Sequence, residues 1–150
     1  MDAVECLPPQ AARPGPGHLV IELRSGQRLL VNGAMLLFRA RCSIVLCNRM
    51  RFLFGRQILD AEQATTPARR LYFALQQAYA GNETEREAQA GVAHRLAAEQ
   101  MAVRSPEGRA ILRGALQDLA ADRWHGALTQ VRRLFEEDDS GRTEQGPRAA

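Results

Sequence analysis

The chain of 150 residues is long enough for one domain with a real core, and its 45% hydrophobic content is that of a globular protein rather than a disordered one. No stretch reaches the ~18 apolar residues of a membrane helix, and the start lacks a basic-then-apolar secretory pattern, so a cytoplasmic protein is expected. The formal net charge is +3, and all 20 basic residues are arginine.

Residues 1–17, with Pro8, Pro9, Pro14 and Pro16, read as a disordered leader. Residues 18–59 then give short alternating runs. Leu19–Leu23, Arg28–Val31, Ala34–Arg39, Ser43–Cys47 and Arg51–Phe54 are predicted strands. Asn32-Gly33 is the strongest hairpin signal, because both residues tolerate positive φ. A small antiparallel sheet with one wet, basic face is expected.

From Asp60 the period becomes helical. Thr66 is suited to cap a helix and Pro67 to open it, and the first helix should run from Pro67 to Ala80, stopping at Gly81-Asn82. Ala68, Leu71, Leu75, Ala78 and Tyr79 form its apolar stripe. Arg69, Arg70, Phe73, Gln76 and Gln77 share the other side. A second helix is predicted over Glu83–Val103 and a third after Ser105-Pro106. A fourth carries Trp124, Leu128, Val131 and Phe135 on one stripe, with Trp124 and Tyr72 as core anchors. The helical part closes at Asp139, and residues 140–150 read as an unstructured tail. The fold expected is α+β: an N-terminal antiparallel β subdomain over 18–59, then a four-helix subdomain over 60–139.

Charge is unevenly spread. Between His18 and Phe73 nine arginines face Glu22, Asp60 and Glu62, whereas between Ala74 and Asp139 eight arginines face eleven acids. Arg39, Arg41, Arg49, Arg51 and Arg56 either track a phosphate backbone along the strands or simply occupy the solvated side of a half-buried sheet. Alternation sets Arg49, Arg51 and Leu53 on one face and Phe52 and Phe54 on the other. Arginines interleaved with aromatics suit single-stranded RNA, whose unstacked bases lie on rings and guanidinium planes. For Arg69 and Arg70 the competing reading is an ion pair with the acidic helical half. For Phe73 it is packing between sheet and helices.

No residues support catalysis. His18, His94 and His125 fall in separate elements without a nucleophile motif, and Glu136–Asp139 reads as a solvated helix end. No metal-ligand spacing or phosphate loop suggests a metal or cofactor; Cys6, Cys42 and Cys47 read as thiols, buried or half-buried.

The segment Asp60-Ala61-Glu62-Gln63-Ala64-Thr65-Thr66-Pro67-Ala68-Arg69-Arg70-Leu71-Tyr72-Phe73-Ala74-Leu75 resembles the FlbT family of flagellum biosynthesis repressors. Leu23–Ala34 is similar to that family's first hairpin, and Trp124–Leu128 with Arg133–Glu136 to its last helix. The resemblance implies a post-transcriptional repressor that binds the untranslated leader of flagellin mRNA and lowers its translation or stability. Arg39, Arg41, Arg49, Arg51, Arg56, Arg69, Arg70 and Phe73 would form the RNA surface, with Phe52 as a second stacking candidate. A further flagellar regulator and a second copy of the chain are partners to consider. The rival reading is a protein-binding regulator or assembly adaptor without nucleic acid.

Overall fold

A computed structural model describes the backbone of residues 19–149 and the side chains of residues 19–140. The leader over 1–17 and Cys6 lie outside the described residues. Five strands come first: β1 (Leu19–Leu23), β2 (Arg28–Val31), β3 (Ala34–Leu37), β4 (Cys42–Leu46) and β5 (Phe52–Phe54). Four helices follow: α1 (Pro67–Ala80), α2 (Arg86–Val103), α3 (Pro106–Ala120) and α4 (Trp124–Ala149). The architecture is the expected α+β arrangement.

The strands form two antiparallel sheets instead of one. β1 pairs with β4, Leu19 opposite Leu46 and Leu23 opposite Cys42. The other sheet has the order β3-β2-β5. Its β2–β3 hairpin turns on Asn32 (φ 52°) and Gly33 (φ 82°), two successive positive angles that match the twist of the flanking strands. The hairpin tip docks on the α1–α2 junction, where Gly33 N donates to Ala80 O at 2.8 Å and Arg86 Nη2 to Asn32 Oδ1 at 3.0 Å. A Cβ on Gly33 would lie 2.8 Å from the Asn82 backbone, so this close approach requires glycine as well as the turn does.

Helix starts follow local chemistry. Thr66 Oγ1 accepts from Arg69 N and Ser105 Oγ from Gly108 N, each ahead of a proline in the first turn. The helical core joins Leu71, Tyr72 and Leu75 of α1, Ala93 and Ala97 of α2, Leu112 of α3, and Leu128, Val131 and Leu134 of α4, with Leu30 and Leu53 entering from the sheet. α1 packs on both α2 and α4, while α2 and α3 diverge. Helical backbone continues through Ala149, past the boundary expected near Asp139.

Gln76 corrects the sequence reading that set it on the polar side of α1. It is 1% exposed; its Oε1 accepts from Leu59 N at 2.7 Å and its Nε2 donates to Leu59 O at 2.9 Å. The amide thereby completes the backbone of the segment entering α1. Gln76→Leu leaves both Leu59 groups buried and unsatisfied, so unfolding by denaturant should show a loss of about 2 kcal/mol with an unchanged m-value.

Candidate nucleic-acid interface

The arginines of the β half do not converge on one face. Arg39 and Arg41 are exposed in the β3–β4 connection, beside the end of β1, whereas Arg49 and Arg51 follow the far end of β4. The five residues of β4 alone separate these groups by about 13 Å. Arg56 is exposed in the 3-10 turn Gly55–Gln57 after β5, where its carbonyl accepts from Arg132 Nη2 at 2.7 Å.

Arg69 is committed within the fold. It forms a two-pronged ion pair with Asp139 (2.8 and 3.0 Å), and its guanidinium lies 4.6 Å from the centre of the Phe135 ring. The Asp139 carboxylate holds Arg69 above the usual guanidinium pKa, against the opposing effect of burial. Only Arg70 of this pair is exposed. Phe73 is half-buried against the helical core. The Thr-Pro-Ala-Arg-Arg segment thus serves chiefly as a joint.

That joint gathers three helix ends around the middle of α4. Asp138 accepts from Ala68 N at 2.8 Å, at the start of α1, and from Arg104 Nη1 at 2.9 Å. Arg104, at the end of α2, also reaches Glu137 at 3.0 Å and Gln100 Oε1 at 2.6 Å, while Gln100 Nε2 donates to Pro67 O at 2.8 Å. Glu137 accepts from Ser105 Oγ at 2.8 Å, the cap of α3. Two of these carboxylates therefore sit at helix N-termini, where negative charge is favoured. The acidic run is structural rather than merely solvated.

Arg49, Arg51 and Phe52 do come together, around an open groove of about 520 Å³ between the end of β4, β5 and the start of α4. The groove is completed by Tyr79 of α1 and by Trp124 and His125 of α4. Tyr79 and Trp124 stack with ring centres 5.4 Å apart, 27° from parallel. The Arg51 guanidinium lies 5.5 Å from the first ring and 5.6 Å from the second, within cation–π range of both. His125 meets Tyr79 and Phe52 edge-on, and its Nε2 is 3.3 Å from the Tyr79 hydroxyl. Burial raises the Tyr79 pKa, with the Arg51 cation opposing and the Asp122 carboxylate reinforcing the shift. The phenol is therefore neutral throughout the physiological range.

The turn before α4 sets this arrangement. Asp122 takes a left-handed conformation (φ 61°) and accepts from Trp124 Nε1 at 2.9 Å, fixing the indole against Tyr79. Arg123 pairs with Asp118 at 3.1 Å on the groove's rim. With Arg123 answered by Asp118, Arg49 and Arg51 against the single carboxylate of Asp122 still leave the lining positive. Tyr79, Trp124 and His125 were not among the expected site residues, because a helical stripe assigns Tyr79 and Trp124 to the core. The adjacency of arginine to aromatic in Arg51-Phe52 and Arg123-Trp124 is the sequence signal that points to them.

Trp124 also walls an apolar hollow of about 410 Å³ on the other side, lined by Leu75, Ala93, Leu112, Leu116 and Leu119. Among the described residues, no group of three or more His, Cys, Asp or Glu is placed to hold a metal ion, and no helix is long and apolar enough to cross a membrane. Cys42 is half-buried, whereas Cys47, just beyond the end of β4, is exposed.

Fold and groove together define a small α+β protein with an open groove walled by arginine and aromatic side chains. The model of the flagellar protein FlbT matches residues 19–140, and the chain belongs to the FlbT family. It is 37% identical over 118 residues to a protein of Bradyrhizobium diazoefficiens named as probable flagellum biosynthesis repressor protein FlbT 2, covering 77% of this chain and 85% of that one. Shorter matches reach proteins named as probable flagellum biosynthesis repressor protein FlbT. One in Brucella anthropi is 40% identical over 62 residues, 41% of each chain, and one in Brucella ovis 43% over 56 residues, 37% of each. No solved structure matches the chain.

Proposed function

We propose that this protein represses flagellum biosynthesis after transcription, in the cytoplasm, by binding the single-stranded 5′ leader of flagellin mRNA in the Arg51 groove. The observation that carries the reading is Arg51 lying beside the stacked Tyr79–Trp124 pair, with Arg49, Phe52 and His125 around an open cavity. Unpaired bases stack on such rings and guanidinium planes, while neighbouring arginines neutralise phosphates. The names of the relatives supply repression and the flagellum. Occupancy of a leader near the ribosome-binding site would compete with translation and expose the message to decay. Arg39, Arg41, Arg56 and Arg70, lying outside the groove, would at most guide the flanking strand.

Crosslinking in cells followed by sequencing of the attached RNA should recover flagellin leaders above the transcript background. With that leader in vitro, log affinity should fall against log salt by about 0.7 per phosphate neutralised. Arg49→Ala, at an exposed position, should flatten the slope by about that amount without altering the melting curve. An unchanged slope would remove Arg49 from the site. If no leader is enriched, the adaptor reading takes its place, and the apolar hollow behind Trp124 is the feature that favours it.

A further inference from the structure

β3 is the one strand, among the described residues, exposed along its whole length, and it carries Ala34, Met35, Leu36 and Leu37. Leu36 is 44% and Leu37 61% exposed, unusual for such residues in an ordered strand. β3 is also an edge, bonded only to β2 within its sheet. Phe38 N donates to Gln27 O, and register then turns the backbone groups of Leu36 and Ala34 toward β2. Those of Met35 and Leu37 point outward. An apolar edge with outward donors and acceptors is a template for another strand, and the usual protections (charge, proline, a bulge) are missing from Ala34–Leu37.

We propose that β3 pairs with β3 of a second copy, antiparallel, about a two-fold axis through Leu36. In that register Met35 of one copy faces Leu37 of the other and the reverse, each pair exchanging both its backbone bonds, while Leu36 faces Leu36 in the close, non-bonded position. The pattern is its own complement, which is why a second copy is the fitting occupant. Charge agrees. Residues 29–38 carry none, and Arg39 falls opposite the partner's Gly33, so its positive charge meets no like charge. Parallel pairing would set arginine beside arginine. Four residues and three large side chains cover well under the roughly 800 Å² per partner of a standard interface, so the dimer is weak and concentration-dependent. It would join the two β3-β2-β5 sheets into one and carry two Arg51 grooves.

Sedimentation of the full chain without RNA should show a monomer–dimer equilibrium in the micromolar range. Leu36→Lys, at an exposed position, sets two ammonium groups face to face on the axis and should weaken association at least roughly tenfold while the circular dichroism stays unchanged. Facing Leu36 positions lie about 4.5 Å apart between Cα atoms, inside the range a disulfide spans. In a chain bearing Cys6→Ser, Cys42→Ser and Cys47→Ser, Leu36→Cys should therefore give a covalent dimer on mild oxidation, and Met35→Cys should not. A monomer at every concentration, a dimer indifferent to Leu36→Lys, or crosslinking through Met35→Cys in preference to Leu36→Cys would each overturn the proposal. So would slow amide exchange at Met35 and Leu37 that is independent of concentration, which would give the edge to another segment of the same chain.

Discussion

Arg104→Ala should lower the stability of the fold by about 3 kcal/mol or more, the largest loss expected of any single arginine. Arg104 is 7% exposed and holds Asp138, Glu137 and Gln100 together. Removing it strands Asp138, only 12% exposed at its side chain, with the Ala68 N–H as its remaining partner of note. An uncompensated carboxylate in that position is more costly than the lost attraction itself, because water cannot fully resolvate it. For a domain of this size the loss corresponds to a fall in Tm of roughly 6–12 °C. Adding Asp138→Asn to Arg104→Ala should recover part of it, since the amide oxygen still accepts from Ala68 N and no charge is left behind. A double variant no more stable than Arg104→Ala alone would mean that the joint contributes by packing and not by charge.

The same joint shows what sequence can and cannot disclose. Thr66-Pro67, Ser105-Pro106 and Asn32-Gly33 act on their immediate neighbours, so the starts of α1 and α3 and the β2–β3 hairpin were legible from local chemistry. The partner of Gln76 lies 17 residues away and that of Arg69 lies 70 away. Nothing local distinguishes an amide that completes Leu59 from one in water, or a guanidinium held by Asp139 from one that awaits a phosphate. The split into two sheets has the same cause. β1 finds β4 and β2 finds β5 across intervening strands, and alternation within a strand says nothing of its partner. Arg49 and Arg51 were legible as neighbours, whereas alternation set Phe52 on the opposite face; β5 begins only at Phe52, so that alternation does not reach back to the arginines. The rings that complete their groove come from α1 and α4, and only the packing of α1 against α4 brings Tyr79 to Trp124.

Arg51→Ala should weaken leader RNA binding roughly ten- to a hundredfold near physiological salt, whereas Arg69→Ala should leave the affinity of the folded protein nearly unchanged. Both residues are arginines beside aromatic rings, and composition cannot separate them. Their surroundings do. Arg69 spends its charge on Asp139, and its loss registers as stability. Arg51 is exposed, lies over two rings, and lines the groove. Replacing Arg51 by lysine keeps the cation but not the planar group that a base would stack on, so Arg51→Lys should restore the salt slope while recovering only part of the affinity. That division separates phosphate neutralisation from stacking. Equal affinity for wild-type protein and Arg51→Ala, with both folded, would move the RNA surface away from Tyr79 and Trp124 altogether.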